Sequence, residues 1–236
     1  MLSGLMLNVL LLFQASDALD ASESAPEKQS LLEIITSGST SGMIVIAVLL
    51  ILSIIAVYII VERYLTLKKA AQVDDAFMAK IRANVQRGDL QTALALCQGV
   101  DAPMARMVEK GLARIGKPLS DINTAIENVG NLELLKLEKN LSTLASISGI
   151  APMIGLLGTV MGMIISFRDM ANATNITPQV LSDGIYHALT ATGFGLTVSI
   201  VALAGYNLLV STLDKVIFKM ESTAMEFIDL LQEPGS

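Results

Sequence analysis

The chain has 236 residues, a net charge of −6, 53% hydrophobic residues and a mean hydropathy of +0.61, and only 16% of its residues are charged, against about 25% in an ordinary soluble domain. Such a surface needs lipid to cover it, and an acidic chain without clustered Lys and Arg argues against nucleic-acid binding. A single cysteine, Cys97, and a single histidine, His187, rule out an intrachain disulfide and a structural zinc site; without a GxxxxGK[ST] loop nucleotide binding has no support either, so no metal, no cofactor and no enzymatic activity are expected.

Residues 1–41 are expected to form an external N-terminal segment. Met1 to Phe13 are apolar but too short to span, and two readings stand open: a cleaved signal peptide ending near Ser16-Asp17-Ala18, or an interfacial helix lying on the outer leaflet. The Ser-, Ala- and acid-rich stretch that follows reads as a solvated linker. Residues 42–61 run without a charge and, at 1.5 Å per residue, are long enough to cross a hydrocarbon core of about 30 Å. Residues 141–167 and 188–210 do the same. The expected fold is therefore an all-α integral membrane protein with three transmembrane helices and long cytoplasmic helical extensions.

Orientation follows from the basic residues. Residues 62–140 hold twelve of the sixteen Lys and Arg, with Arg63, Lys68 and Lys69 after the first span and Lys136 and Lys139 before the second; Lys215 and Lys219 follow the third, whereas 168–187 has only Arg168. The positive-inside rule places 62–140 and the 211–236 tail in the cytoplasm, and the N-terminus and the 168–187 loop outside. The cytoplasmic domain reads as helices broken at Arg87-Gly88-Asp89, at Gly99 to Pro103 and at Gly116-Lys117-Pro118. From Ser120 the pattern runs into the second span, which predicts one helix of about 45 residues. The C-terminal tail, apolar at Leu213, Ile217, Met220, Ala224, Phe227, Ile228 and Leu231, is expected to pack against it.

On a helical second span, Ser148, Pro152, Gly155, Thr159, Gly162 and Ser166 fall on one face. The third span repeats the arrangement with Ala188, Thr192, Gly195, Ser199 and Ala202. One reading is that small stripes let helices approach closely, with Gly158 and Gly162 as a GxxxG pair and each hydroxyl bonded one turn back. The other is that both stripes line a shared lumen. Pro152 leaves the Ser148 carbonyl without its helical donor, a group that water or a neighbouring helix must satisfy. Membrane ionisable residues mark ion routes, yet the three spans contain no Asp, Glu, Lys or Arg. A proton relay across the bilayer would need a titratable group from another subunit.

The run Ala151-Pro152-Met153-Ile154-Gly155-Leu156-Leu157-Gly158-Thr159-Val160-Met161-Gly162 resembles the APxxGLLGTVxG signature of the ExbB/TolQ branch of the MotA/TolQ/ExbB proton-channel family. The third span agrees in Ala188-Leu189-Thr190-Ala191-Thr192, Gly195-Leu196 and Tyr206-Asn207, and the loop in Gly88-Asp89, Ala93-Leu94, Cys97 and Pro103; the resemblance covers about residues 43–232. It implies an inner-membrane homopentamer around two helices of an ExbD/TolR-type single-span partner that carries the proton-accepting aspartate. Thr159 and Thr192 match the family's pore-lining threonines, and Ser148, Gly155, Gly162 and Ser199 are expected to line the same path. Proton passage would energise TonB-dependent outer-membrane transport through a TonB-like protein, or, in a TolQ-type role, envelope maintenance through a TolA-like one. Neither sodium as the ion nor a non-conducting scaffold is excluded by sequence. His187 stands where the best-known members carry a glutamate, and Val201 where they carry a proline, so His187 is either an outer-rim relay or a polar contact at the interface.

Overall fold

The computed structural model describes residues 40–71, 76–172 and 178–232, and every element among them is a helix. The apolar N-terminal stretch and its linker lie outside the described residues. Helix α1 is Thr40–Ala71, α2 Ala76–Gln86, α3 Leu90–Gln98, α4 Pro103–Leu112, α5 Leu119–Leu137, α6 Leu141–Asn172 and α7 Pro178–Gln232. Three stretches are long and apolar enough to cross a bilayer, within Gly42–Ala71, Leu119–Asn172 and Gly184–Gln232. Helical geometry continues past the apolar limits of the spans: α6 runs on to Asn172 and α7 begins at Pro178, a residue suited to the first turn because it lacks an N–H that would go unused there.

The small helices start and stop where turn chemistry dictates. Gly88 adopts φ 77° after α2, and Asp89 then caps α3 by accepting from the Thr92 amide at 3.1 Å and the Thr92 hydroxyl at 2.6 Å. Those two bonds hold the Asp89 carboxyl below the usual carboxylate range. Pro103 opens α4, and Gly116, at φ 95°, turns the chain toward α5. Between these turns α2, α4 and α5 pack on α7, and α3 packs on α2 and α4. Phe227 is fully buried there against Gly111 of α4 and Ile126 of α5, so the tail does pack on the lower bundle.

The expected single helix from Ser120 into the second span is in fact two. Asn140, at φ 66°, interrupts it between α5 and α6. Glu138 closes α5 with its amide on the Leu134 carbonyl, and the Asn140 carbonyl accepts the Leu144 amide to start α6. Side-chain periodicity runs through this three-residue break almost unaltered, which is why the pattern did not show it. Asparagine tolerates the left-handed conformation better than other non-glycine residues. Asn140→Gly should therefore melt within about 0.5 kcal/mol of the parent, whereas Asn140→Ile should lose about 1–2 kcal/mol, measured by thermal denaturation in detergent.

Candidate functional site at the seam of the second and third spans

Two glycines set the geometry. A Cβ at Gly195 would stand 2.7 Å from the Ala151 carbonyl oxygen and 3.0 Å from the Gly155 Cα; one at Gly155 would meet the Ala191 carbonyl oxygen at 3.0 Å and the Thr192 Cα at 3.1 Å. The backbones of α6 and α7 are thus in direct contact, with no side chain between them. Gly158 sits against Ala191 and Val45 of α1, and Gly162 against Ala188. Within the chain, then, the glycines of the GxxxG pair and of the stripe serve close packing.

That approach brings the hydroxyls of the two stripes together. The Thr159 and Thr192 hydroxyls hydrogen bond one another across the seam. Thr159 Oγ1 also reaches the carbonyls of Ala188 at 3.1 Å and Gly155 at 3.3 Å, and Thr192 Oγ1 reaches that of Gly155 at 3.1 Å. Each hydroxyl has one hydrogen and two acceptor lone pairs, and both hydrogens have internal acceptors. Both threonines are only half-buried. Toward anything outside the seam, the pair therefore presents lone pairs.

Two turns further along α7 from Thr192, Ser199 Oγ donates to the Ser148 carbonyl at 2.6 Å. This is the carbonyl that Pro152 leaves without a donor, and a side chain of the neighbouring helix satisfies it. Ser148 Oγ itself donates back to the Ala145 carbonyl at 2.7 Å. At the other end Ser166 is buried against Gly184 and donates to the Gly162 carbonyl at 2.8 Å. The seam thus brings together Thr159, Thr192 and Gly155, then Ser148 with Ser199, and sets Gly162 on Ala188. His187 is not part of it. Its ring lies edge-on to Tyr186, with centroids 5.7 Å apart and planes at 70°, and helical rise puts it roughly 7–8 Å along the axis from Thr192. No group of three or more His, Cys, Asp or Glu side chains able to hold a metal occurs among the described residues.

A polar cluster where the spans meet the short helices was not foreseen from the sequence. Glu133, with its side chain 5% exposed, accepts from Arg106 of α4 at 2.6 Å and from Lys136 at 2.6 Å, and Arg106 also pairs with Asp101 at 2.6 Å. Arg63, 7% exposed, pairs with Glu62 at 2.5 Å and donates to the Lys136 carbonyl at 3.1 Å, tying the end of α1 to α5. Burial alone would raise the Glu133 carboxyl, but its bonds to Arg106 and Lys136 outweigh that and hold it low. The signal was present: Ile126, Gly130, Glu133 and Leu137 fall at steps of four, three and four, which sets a carboxylate on a buried face.

These features define an all-helical, multi-pass membrane protein whose second and third spans join through a hydroxyl-bearing, glycine-packed seam. The sequence profile of the MotA/TolQ/ExbB proton channel family matches residues 99–222, which include the whole seam, and the chain belongs to that family. It is 29% identical over 161 residues to a putative biopolymer transport protein ExbB homolog of Methanothermobacter thermautotrophicus, covering 68% of this chain and 57% of that protein. A putative biopolymer transport protein ExbB-like 2 of Helicobacter pylori strain 26695 is 47% identical over 76 residues, or 32% of this chain and 51% of the relative. The Tol-Pal system protein TolQ of Pseudomonas aeruginosa is 26% identical over 213 residues, 86% of this chain and 92% of its own length. The chain thus spans little more than half of the first two relatives and nearly all of the third.

The seam makes a direct prediction. Gly195→Ala forces a methyl into backbone that has nowhere to go and should cost about 1–3 kcal/mol, seen as a lower melting temperature and loss of a monodisperse peak in detergent. Gly193→Ala, where a Cβ meets nothing within 4 Å, should be silent or mildly stabilising.

Proposed function

We propose that the chain is the channel-forming subunit of an ExbB–ExbD type inner-membrane motor: a homopentamer around two helices of a single-span ExbD/TolR-type partner, using the proton motive force to energise TonB-dependent outer-membrane transport. The observation that carries this is the Thr159–Thr192 pair, a fixed polar site in spans that contain no Asp, Glu, Lys or Arg. The pair does not titrate, but it is suited to respond to a group that does. A protonated partner carboxyl would donate its O–H to a threonine lone pair. Once that proton leaves, the carboxylate needs a donor, and a threonine hydroxyl swings from its partner or carbonyl to supply one. The seam glycines hold the hydroxyls in register, and the Ser148–Ser199 contact, at the carbonyl that Pro152 frees, extends the polar face toward the cytoplasm. His187, at the outer end, is a candidate relay at the rim.

A TolQ-type role in the Tol-Pal envelope system is the second reading, and the alignment over 92% of the Pseudomonas aeruginosa TolQ favours it. A strain lacking the chain separates the two: failure of TonB-dependent uptake supports the first, a leaky and detergent-sensitive envelope the second.

Thr159→Val and Thr192→Val test the pore reading itself. Valine keeps the branched shape, and the threonine that remains still has a carbonyl acceptor, Ala188 or Gly155, so no donor is orphaned. A membrane hydrogen bond averages about 0.6 kcal/mol, so both variants should insert and assemble. Partner-dependent proton flux into vesicles should nonetheless fall by an order of magnitude or more, with Thr→Ser retaining much of it. Thr190→Val is the matched control, because that hydroxyl bonds only the Tyr186 carbonyl one turn back. Assembled Val complexes with full flux would reduce the seam to a packing surface, and flux without any partner would contradict the need for a second subunit.

Topology is tested with a membrane-impermeant maleimide on intact spheroplasts. Native Cys97 is a poor reporter: it is buried, and burial, helped by Glu109, pushes its thiol up to about 12, so it stays protonated at neutral pH and fails to react from either side. In a Cys97→Ala background, Asp169→Cys should label at once and Asp101→Cys, 82% exposed, only after permeabilisation. The reverse pattern would invert the proposed orientation.

A further inference from the structure

Below the third span the surface carries a mismatch with water. Phe218 is 73% exposed, the most exposed of the large apolar side chains among the described residues. It lies eight residues beyond Val210, about 12 Å further along α7, past a headgroup layer of roughly 5–8 Å. Lipid does not account for it. Lys215, one turn above, is exposed beside it.

The same chain holds a receptacle of complementary character at the same depth. A groove of about 600 Å³ runs between α5 and the C-terminal half of α7. Leu134 and Ile217 form its upper end, with Met107 and Met220 on its floor, thioether side chains that adapt to an inserted group. Its rim carries Glu127, Glu221 and Asp229, and no Lys or Arg lines it. Phe218 is not among the lining residues, so a chain does not fill its own groove with this ring.

We propose that Phe218 of one copy seats in the upper end of this groove on the next copy, with Lys215 facing the neighbour's Glu221. The bilayer supplies the alignment. Copies embedded through the same three spans sit at one depth, so Phe218 of each lies within a turn of Ile217 and Glu221 of the other. A knob on one copy entering a groove on another is a heterologous contact, which repeats around a closed ring rather than pairing two copies face to face. The proposal rests on the homo-oligomer in the proposed function and names the surface that joins its subunits below the membrane.

The test uses full-length chains with Cys97→Ala. Copies bearing Phe218→Cys and copies bearing Leu134→Cys, differently tagged, are co-expressed in membranes and oxidised. A disulfide joining the two tags is expected, its yield lowered several-fold by Glu221→Lys on the groove copy and restored by Lys215→Glu on the knob copy. Native mass spectrometry of the same samples reports the oligomer independently. An intact oligomer with no disulfide between the tags overturns the contact and leaves the proposed function standing. Efficient cross-linking of Phe218→Cys to itself overturns it in favour of a face-to-face pair, and a monomer overturns both.

Discussion

The contact of Gly155 with Gly195 is the constraint on which the membrane part of this protein depends. Hydrocarbon offers two helices no hydrophobic reason to associate, so α6 and α7 hold together through surfaces that touch. Only residues without a side chain permit backbone against backbone here. Everything polar in the seam follows from that distance. Thr159 reaches Thr192, Ser199 reaches the carbonyl that Pro152 strips of its donor, and no hydroxyl in the pair is left without an acceptor. Packing and polarity are thus one device, since the glycines put the hydroxyls where they meet.

Outside the bilayer a different interaction takes over. Glu133 is buried with Arg106 and Lys136, and Arg63 is anchored to the Lys136 carbonyl, so charges at the foot of the spans fix α1, α4 and α5 together. Because the folded carboxyl is held low, its contribution is complete above the ordinary carboxylate range, near pH 4.3, and is lost as pH falls through the depressed value. Arg106 and Lys136 are substantially exposed, at 39% and 68%, so solvent screens the cluster and its worth is modest. Its main effect is positional.

The spans, the three turns between the short helices and the two stripes were legible in the sequence because each has a local cause: an uncharged run, a glycine or proline among turn residues, a helical repeat of small side chains. The break at Asn140 was not, because one left-handed residue changes the path of the chain without disturbing its periodicity. Nor did sequence choose between packing and lumen for the stripes. Spacing says which residues share a face and is silent on what lies opposite; the pairing of Thr159 with Thr192, thirty-three positions apart, is a property of the fold. Glu133 was readable from its phase on α5, but its partner Arg106 sits on another helix and looked like one more topological marker.

The contrast between α6 and α7 has a mechanical consequence. The second span enters the membrane through the joint at Asn140, whereas the third continues without interruption from Pro178 to Gln232. A helix of 55 residues is a rod of roughly 80 Å, rooted at its far end by Phe227. Thr192 and Phe227 lie on this one rod about 50 Å apart. A tilt or rotation imposed at the hydroxyl pair is delivered to the base as leverage, while the jointed α6 yields. The chain thus sets a continuous rod beside a helix that is jointed at its foot.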